Sequence, residues 1–186
     1  ELFTTNPNTW NKYLDDPTYL DKVTNNEKGE MIHNIMYLWD NKVYNFEDCI
    51  KFSINRFYDK YNNMIKQLLH AYPKDTETTS GVKFWSGSKR CPKSIESIDI
   101  DYVYHTSLLV AKMFNINISN NEKVIDIITN VITLYKPAKY EPSDDIKVSA
   151  NDQEEKENAK SRYESLDVSL LPDISEMKKF NINSIE

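Results

Sequence analysis

Glycine is nearly missing from this sequence. With only Gly29, Gly81 and Gly87 in 186 residues, no G-x-G-x-x-G or G-x-x-x-x-G-K-[ST] string can be written. The chain by itself therefore has no glycine-rich loop whose backbone amides could cradle the phosphates of ATP. Cysteine is as scarce: Cys49 and Cys91 are too few for a disulfide scaffold, so a reducing compartment is expected, cytoplasmic and nuclear. Neither belongs to a C-x-x-C pair, and His33, His70 and His105 are scattered, so no metal site is expected. Nowhere do eighteen apolar residues run together, which excludes a hydrophobic membrane-spanning helix, and a soluble chain with no membrane contact is expected. Positive charge is also in deficit, with 23 Lys and Arg against 29 Asp and Glu for a net −6, so the basic face that nucleic acid requires is not expected. The start, Glu1-Leu2-Phe3-Thr4, has no initiator Met and no apolar signal core, which reads as a piece of a longer chain.

What the sequence does have is apolar periodicity and enough aromatic residues (12%) to build one core. Phe46, Ile50, Ile54, Phe57, Tyr61, Ile65, Leu68 and Tyr72 recur every three or four residues, predicting one long amphipathic helix capped by Asn45 and stopped by Pro73. A second helix is predicted from Asp99 to Phe114, almost wholly buried through Val103, Leu109, Val110, Met113 and Phe114. A third follows Asn120 or Asn121, carrying Val124, Ile127, Ile128, Val131 and Leu134 as far as Pro137. Shorter helical pieces are expected at Trp10–Leu14, Pro17–Val23 and Glu30–Trp39. No strand pattern of comparable length competes, so the expected fold class is mainly α, a compact helical domain with one long ordered loop.

That loop is the stretch between Pro73 and Asp99, where periodicity gives way to Thr, Ser, Gly, Lys and Pro. From Glu141 to Asn158 the composition turns acidic, and a solvated, partly mobile segment is expected. A last helix is expected at Ser161–Leu171, and the scattered apolar residues from Leu171 to Ile185 read as a tether to a neighbouring unit. The organisation expected is a helical body over 1–140, then an acidic excursion, short helix and tether over 141–186.

Cys49 falls on the apolar side of the long helix beside Ile50, where a small buried hydrophobe is the natural reading. Cys91 follows Lys89 and Arg90, and neighbouring cations can lower a thiol pKa, so a cysteine enzyme pairing Cys91 with His70 or His105 is an open alternative. The carboxylates lie mostly on helix faces or in the acidic run, and the Trp and Tyr residues at helical spacing read as packing.

The string YNNMIKQLLHAYPKDTETTSGVKFWSGSKRCP, from Tyr61 to Pro92, resembles the ubiquitin branch of the ubiquitin-like-protein activating enzymes. That family carries an IRQLLH…FP, then SG, then FWSGPKRCP at the same spacing; Ser88 stands where Pro is frequent. The resemblance continues at Asp101-Tyr102-Val103, Leu109 and Ala111, where the family has an LDYV…NLFA helix. It extends to YLDDPTYLDKV at Tyr13–Val23 and to DIKVSANDQE at Asp145–Glu154, similar to a GVKIHVSDQE stretch that leads back to the adenylation domain.

The resemblance implies the helical second half of a catalytic cysteine domain. The family's thioester cysteine sits in a P-x-C-T segment upstream of an E-G-L-F-like sequence that Glu1-Leu2-Phe3 continues; no P-x-C-T occurs in this chain, so the nucleophile is expected before Glu1. The whole enzyme would use ATP and magnesium, neither held by this piece. Its expected partners are ubiquitin, ubiquitin-conjugating enzymes and the adenylation domain of the same chain. Trp85, Lys89 and Arg90 are the candidate supporting residues, on a loop expected near the cysteine. The rival reading is a non-enzymatic helical module whose Trp, Tyr and Phe residues form a partner groove.

Overall fold

The computed structural model describes residues 5–118, 123–149 and 152–181. Its elements are α1 (Thr5–Asp15), a 3-10 turn (Pro17–Lys22), α2 (Asn25–Asp40), α3 (Phe46–Tyr58), a π turn (Asp59–Asn63), α4 (Met64–Ala71), α5 (Ile100–Met113), α6 (Val124–Leu134) and α7 (Asp152–Glu164). Short 3-10 turns follow at Val168–Leu170 and Ile174–Glu176. Among the described residues the fold is mainly α, with β pairing reduced to one isolated bridge between Glu77 and Lys83. No described helix is long and apolar enough to cross a membrane.

The helix starts are set by side chains that satisfy orphan backbone amides. Asn45 Oδ1 accepts from the Asp48 N–H at 3.0 Å while Asp48 Oδ2 accepts from the Asn45 N–H at 3.2 Å, a reciprocal box at the predicted cap of α3. Asp99 accepts from Tyr102 N–H at 3.0 Å and starts α5. Thr24 and Glu27 form a second box, so α2 begins at Asn25 rather than at Glu30 as the periodicity predicted. The T-x-x-E spacing was its available signal. The cap expected at Asn120 or Asn121 lies outside the described residues; α6 is described from Val124.

The long helix runs from Phe46 to Ala71 as predicted, but its middle widens into the π turn. There the Tyr61 carbonyl accepts from the Ile95 N–H at 2.8 Å, and the buried Asn62 amide donates to the Ile95 carbonyl at 3.1 Å. A π turn releases a carbonyl from the regular ladder, and here it receives the far end of the long loop.

Two apolar clusters meet along α3. Ile50 and Ile54 pack with Val103 of α5 and with Val124, Ile128 and Val131 of α6. Cys49 and Phe52 face Trp10, Ile32, Ile35 and the end of α5. Where α3 crosses α5 the buried Ser107 hydroxyl bonds to Ser53 Oγ at 3.1 Å and to the Val103 carbonyl at 2.6 Å, so small polar residues permit the close crossing without an unsatisfied group. The α5 and α6 faces are less buried than predicted: Leu109 is 61% and Leu134 74% exposed.

The C-terminal third departs most from expectation. A helix is present at Asp152–Glu164, its first half inside the stretch expected to be a solvated excursion, and Ser161–Leu171 holds only its end and a 3-10 turn. Its sequence has little apolar periodicity but is rich in Glu and Lys, which favour helix on intrinsic propensity alone. The last described residues do more than tether. Met177 and Phe180 are buried with Trp10, whose indole N–H donates to the Lys178 carbonyl at 2.9 Å. Asn11 brackets Phe180, accepting its N–H at 2.9 Å and donating to its carbonyl at 2.8 Å.

Candidate functional site

The loop between α4 and α5 is held in shape by the end of α4. The last carbonyls of a helix have no intrahelical donor. Trp85 supplies one: its indole N–H points at the Tyr72 carbonyl at 2.9 Å and the Pro73 carbonyl at 3.2 Å. Phe84 lies flat on Tyr72, with ring centroids 4.4 Å apart and planes 4° from parallel, and meets Trp85 edge-on at 4.9 Å. Backbone bonds from Thr78 to Val82 (2.8 Å) and from Phe84 to Thr76 (2.8 Å) close the turn, with Gly81 at φ +76 and Gly87 at φ +62 in the left-handed region that suits glycine.

The three residues singled out by sequence are therefore brought to one place, in different roles. Trp85 is a clamp on the helix end. Lys89 lays its ammonium 4.7 Å from the centroid of Phe84, a cation–π contact that restrains a flexible stem. Arg90 is exposed beside it and has no ion pair with a described residue. Phe84 and Tyr72, which link the other two, were not singled out by sequence; the FWSG string held the signal for Phe84.

The cysteines separate clearly. Cys49 is fully buried, its Sγ aimed at the Asn45 carbonyl at 3.3 Å, and burial together with the Asp48 charge pushes its thiol up to about 12. A thiol so placed stays protonated and is not a nucleophile at neutral pH. Cys91 is half-buried with Sγ 3.8 Å from the Pro92 carbonyl. The histidines proposed as its partner are engaged elsewhere. His70 Nε2 is 2.8 Å from Asp144 Oδ1, and His105 meets Tyr104 edge-on. Among the described residues no hydrogen bond or ring contact joins a histidine to Cys91.

A second polar node sits one turn earlier on α4. Gln67 is buried and uses its whole amide: Nε2 donates to the Ser143 and Ile146 carbonyls at 2.8 and 2.9 Å, and Oε1 accepts from Tyr140 OH and Ser143 N–H at 2.8 and 3.1 Å. Residues 140–146 are thereby strapped to the helix, beside a groove of about 690 Å³ lined by Met64, Leu68, Ile146 and Tyr163 among others. Trp10 and Trp39 stack at 6.4 Å and Trp85 is spent on the loop, and no tryptophan lines this groove. Among the described residues no group of three or more His, Cys, Asp or Glu side chains is arranged to hold a metal ion.

Comparison with known proteins places this architecture. Residues 1–186 match the family described as ubiquitin-activating enzyme, SCCH domain. The chain is 29% identical over 99% of its length to ubiquitin-activating enzyme E1 1 of Candida albicans, and 32% identical over its full length to ubiquitin-like modifier-activating enzyme 1 of Dictyostelium discoideum. It is 36% identical over 78% of its length to ubiquitin-activating enzyme E1 1 of Schizosaccharomyces pombe. These matches cover 19%, 20% and 15% of the respective relatives, so the chain spans about a fifth of their length or less.

Proposed function

This chain belongs to the ubiquitin-activating enzyme family, through its SCCH domain, and on that premise we propose that it is the helical scaffold of the catalytic cysteine region in a larger enzyme. That enzyme adenylates the C-terminus of ubiquitin with ATP and magnesium, takes it onto a cysteine as a thioester and passes it to a ubiquitin-conjugating enzyme. The nucleophile lies outside this chain, and so do the groups that bind ATP. Family membership carries the reading; the two cysteines support it, since Cys49 is sealed in the core and Cys91 contacts no histidine among the described residues.

The role of this piece is mechanical and electrostatic. A scaffold that carries a reactive cysteine toward an adenylate has to move as a stiff unit, and the two apolar clusters joined along α3 supply stiffness through close packing. Thioester formation passes negative charge through thiolate and oxyanion, and a cation held nearby favours both. Lys89 and Arg90 provide that positive potential from the loop braced by Trp85. Its partners are ubiquitin, ubiquitin-conjugating enzymes and the adenylation domain of the same chain, in cytoplasm and nucleus.

The test is a non-reducing gel of the whole enzyme with ubiquitin, ATP and magnesium. Cys91→Ala retains the thiol-sensitive band, replacement of the upstream cysteine removes it, and the isolated chain forms none. Loss of the band in a folded Cys91→Ala enzyme, or thioester formation by the chain alone, overturns the proposal.

A further inference from the structure

Residues 83–93 carry Lys83, Lys89, Arg90 and Lys93 and no carboxylate, in a chain whose net charge is −6. All four are exposed, and none pairs with a described carboxylate. Glu77 stands across the isolated bridge from Lys83 without forming an ion pair, and Glu96, the next acid along the chain, is engaged by Lys66 at 3.6 Å. A run of unpaired cations on an acidic molecule is an isolated positive field, the arrangement that steers an oppositely charged surface into contact.

The field is attached to a braced backbone. Ser86 Oγ donates to the Lys83 carbonyl at 2.7 Å, and the Lys89 N–H donates to the Ser86 carbonyl at 3.1 Å, so one serine draws the two lysines' backbones together. Beyond Lys93 the chain is pinned again at Ile95 to the π turn. Tyr72 covers one face of Phe84, which leaves the other for the Lys89 ammonium. One cation is thus restrained while Arg90 beside it keeps a free guanidinium fork, the group that grips carboxylates in pairs.

The geometry points to a docking surface on residues 83–93 for an acidic segment of a partner protein, with Lys89 as anchor and Phe84 as its positioning residue. This deepens the reading of the loop as the functional face and rests on it. Nucleic acid fits worse on two counts. A long polyanion meets the repulsion of the remaining surface, and both faces of Phe84 are already taken by Tyr72 and Lys89.

A labelled hexaglutamate peptide titrated into the chain, followed by fluorescence anisotropy, tests this. Binding is expected at about 0.05 M salt and weakens steeply at about 0.5 M, where the screening length falls to about 4 Å. Lys89→Glu with Lys93→Glu weakens it about tenfold, while Lys136→Glu, on an exposed residue outside the loop, leaves it unchanged. Phe84→Leu weakens binding less, about threefold, and Phe84→Tyr restores it, with circular dichroism confirming the fold of each variant. No binding of hexaglutamate, equal loss from Lys136→Glu, or equal affinity for hexathymidylate overturns the inference. Because peptide binding is read on this chain and thioester formation on the whole enzyme, either reading can fail without the other.

Discussion

Cys49 gives up its hydration in the core, and the effect is a linked one. Its thiol ionises at 9.0 ordinarily and at about 12 when folded, because burial and the Asp48 charge penalise the thiolate. The unfolded chain therefore releases its proton first, so the stability from keeping the thiol neutral is complete below pH 9.0 and is lost as pH rises toward 12. The loss is at most about 1.4 kcal/mol per pH unit across that window. Tyr37, raised by burial, adds to the same alkaline slope. Urea denaturation between pH 8 and 11 should show Cys49→Ala with a flatter decline than the parent sequence, the tyrosine contribution remaining. Iodoacetamide at pH 8 should alkylate Cys91 in the folded chain and Cys49 only after unfolding, as read by mass spectrometry.

Among the elements, α7 packs on α2 at a seam that passes over a glycine. An ideal Cβ on Gly29 would sit 2.0 Å from the Tyr163 carbonyl oxygen and 2.6 Å from its carbon, both backbone atoms, so α2 and α7 approach as closely as they do because position 29 has no side chain. His33 packs its ring 5.3 Å from that of Tyr163 on the same seam. In an isolated helix Gly→Ala is favourable by about 1 kcal/mol. Here the sign should reverse: Gly29→Ala should cost about 1–3 kcal/mol as overpacking forces the helices apart. Hydrogen exchange should rise in residues 152–164 before it rises in α3. A gain in stability would show that α7 does not dock there.

At the scale of the molecule, the two ends of the described chain share one core. Phe180 sits 5.0 Å from Trp10, 4.9 Å from Phe114 and 5.7 Å from Tyr44 in ring-centroid distance, joining α1, the end of α5 and the turn before α3. Lys179 adds an ion pair with Asp15. Phe180→Ala should therefore behave as a core truncation and cost about 3–5 kcal/mol. Leu134→Ala, at an exposed leucine of similar hydrophobicity, should stay within about 0.5 kcal/mol. Chemical denaturation of both variants against the unmodified chain distinguishes an integrated C-terminal segment from a tether.

Local rules made much of this legible from the residues alone. The apolar period named the long helix, its Asn45 cap and its stop at Pro73, because amphipathic spacing and capping act within a few residues. The Tyr61–Pro92 string likewise carried the family and placed Trp85, Lys89 and Arg90 on one loop. What tertiary structure alone decided involves partners distant in sequence. The π turn exists to meet Ile95, Gly29 serves Tyr163, and Gln67 holds Ser143 and Ile146. Phe180 belongs to a core that starts at Trp10. Such pairings leave no period in the chain. A hydrogen bond or close contact between residues far apart in the chain is a property of the packed backbone, and composition carries no trace of which residue will face which.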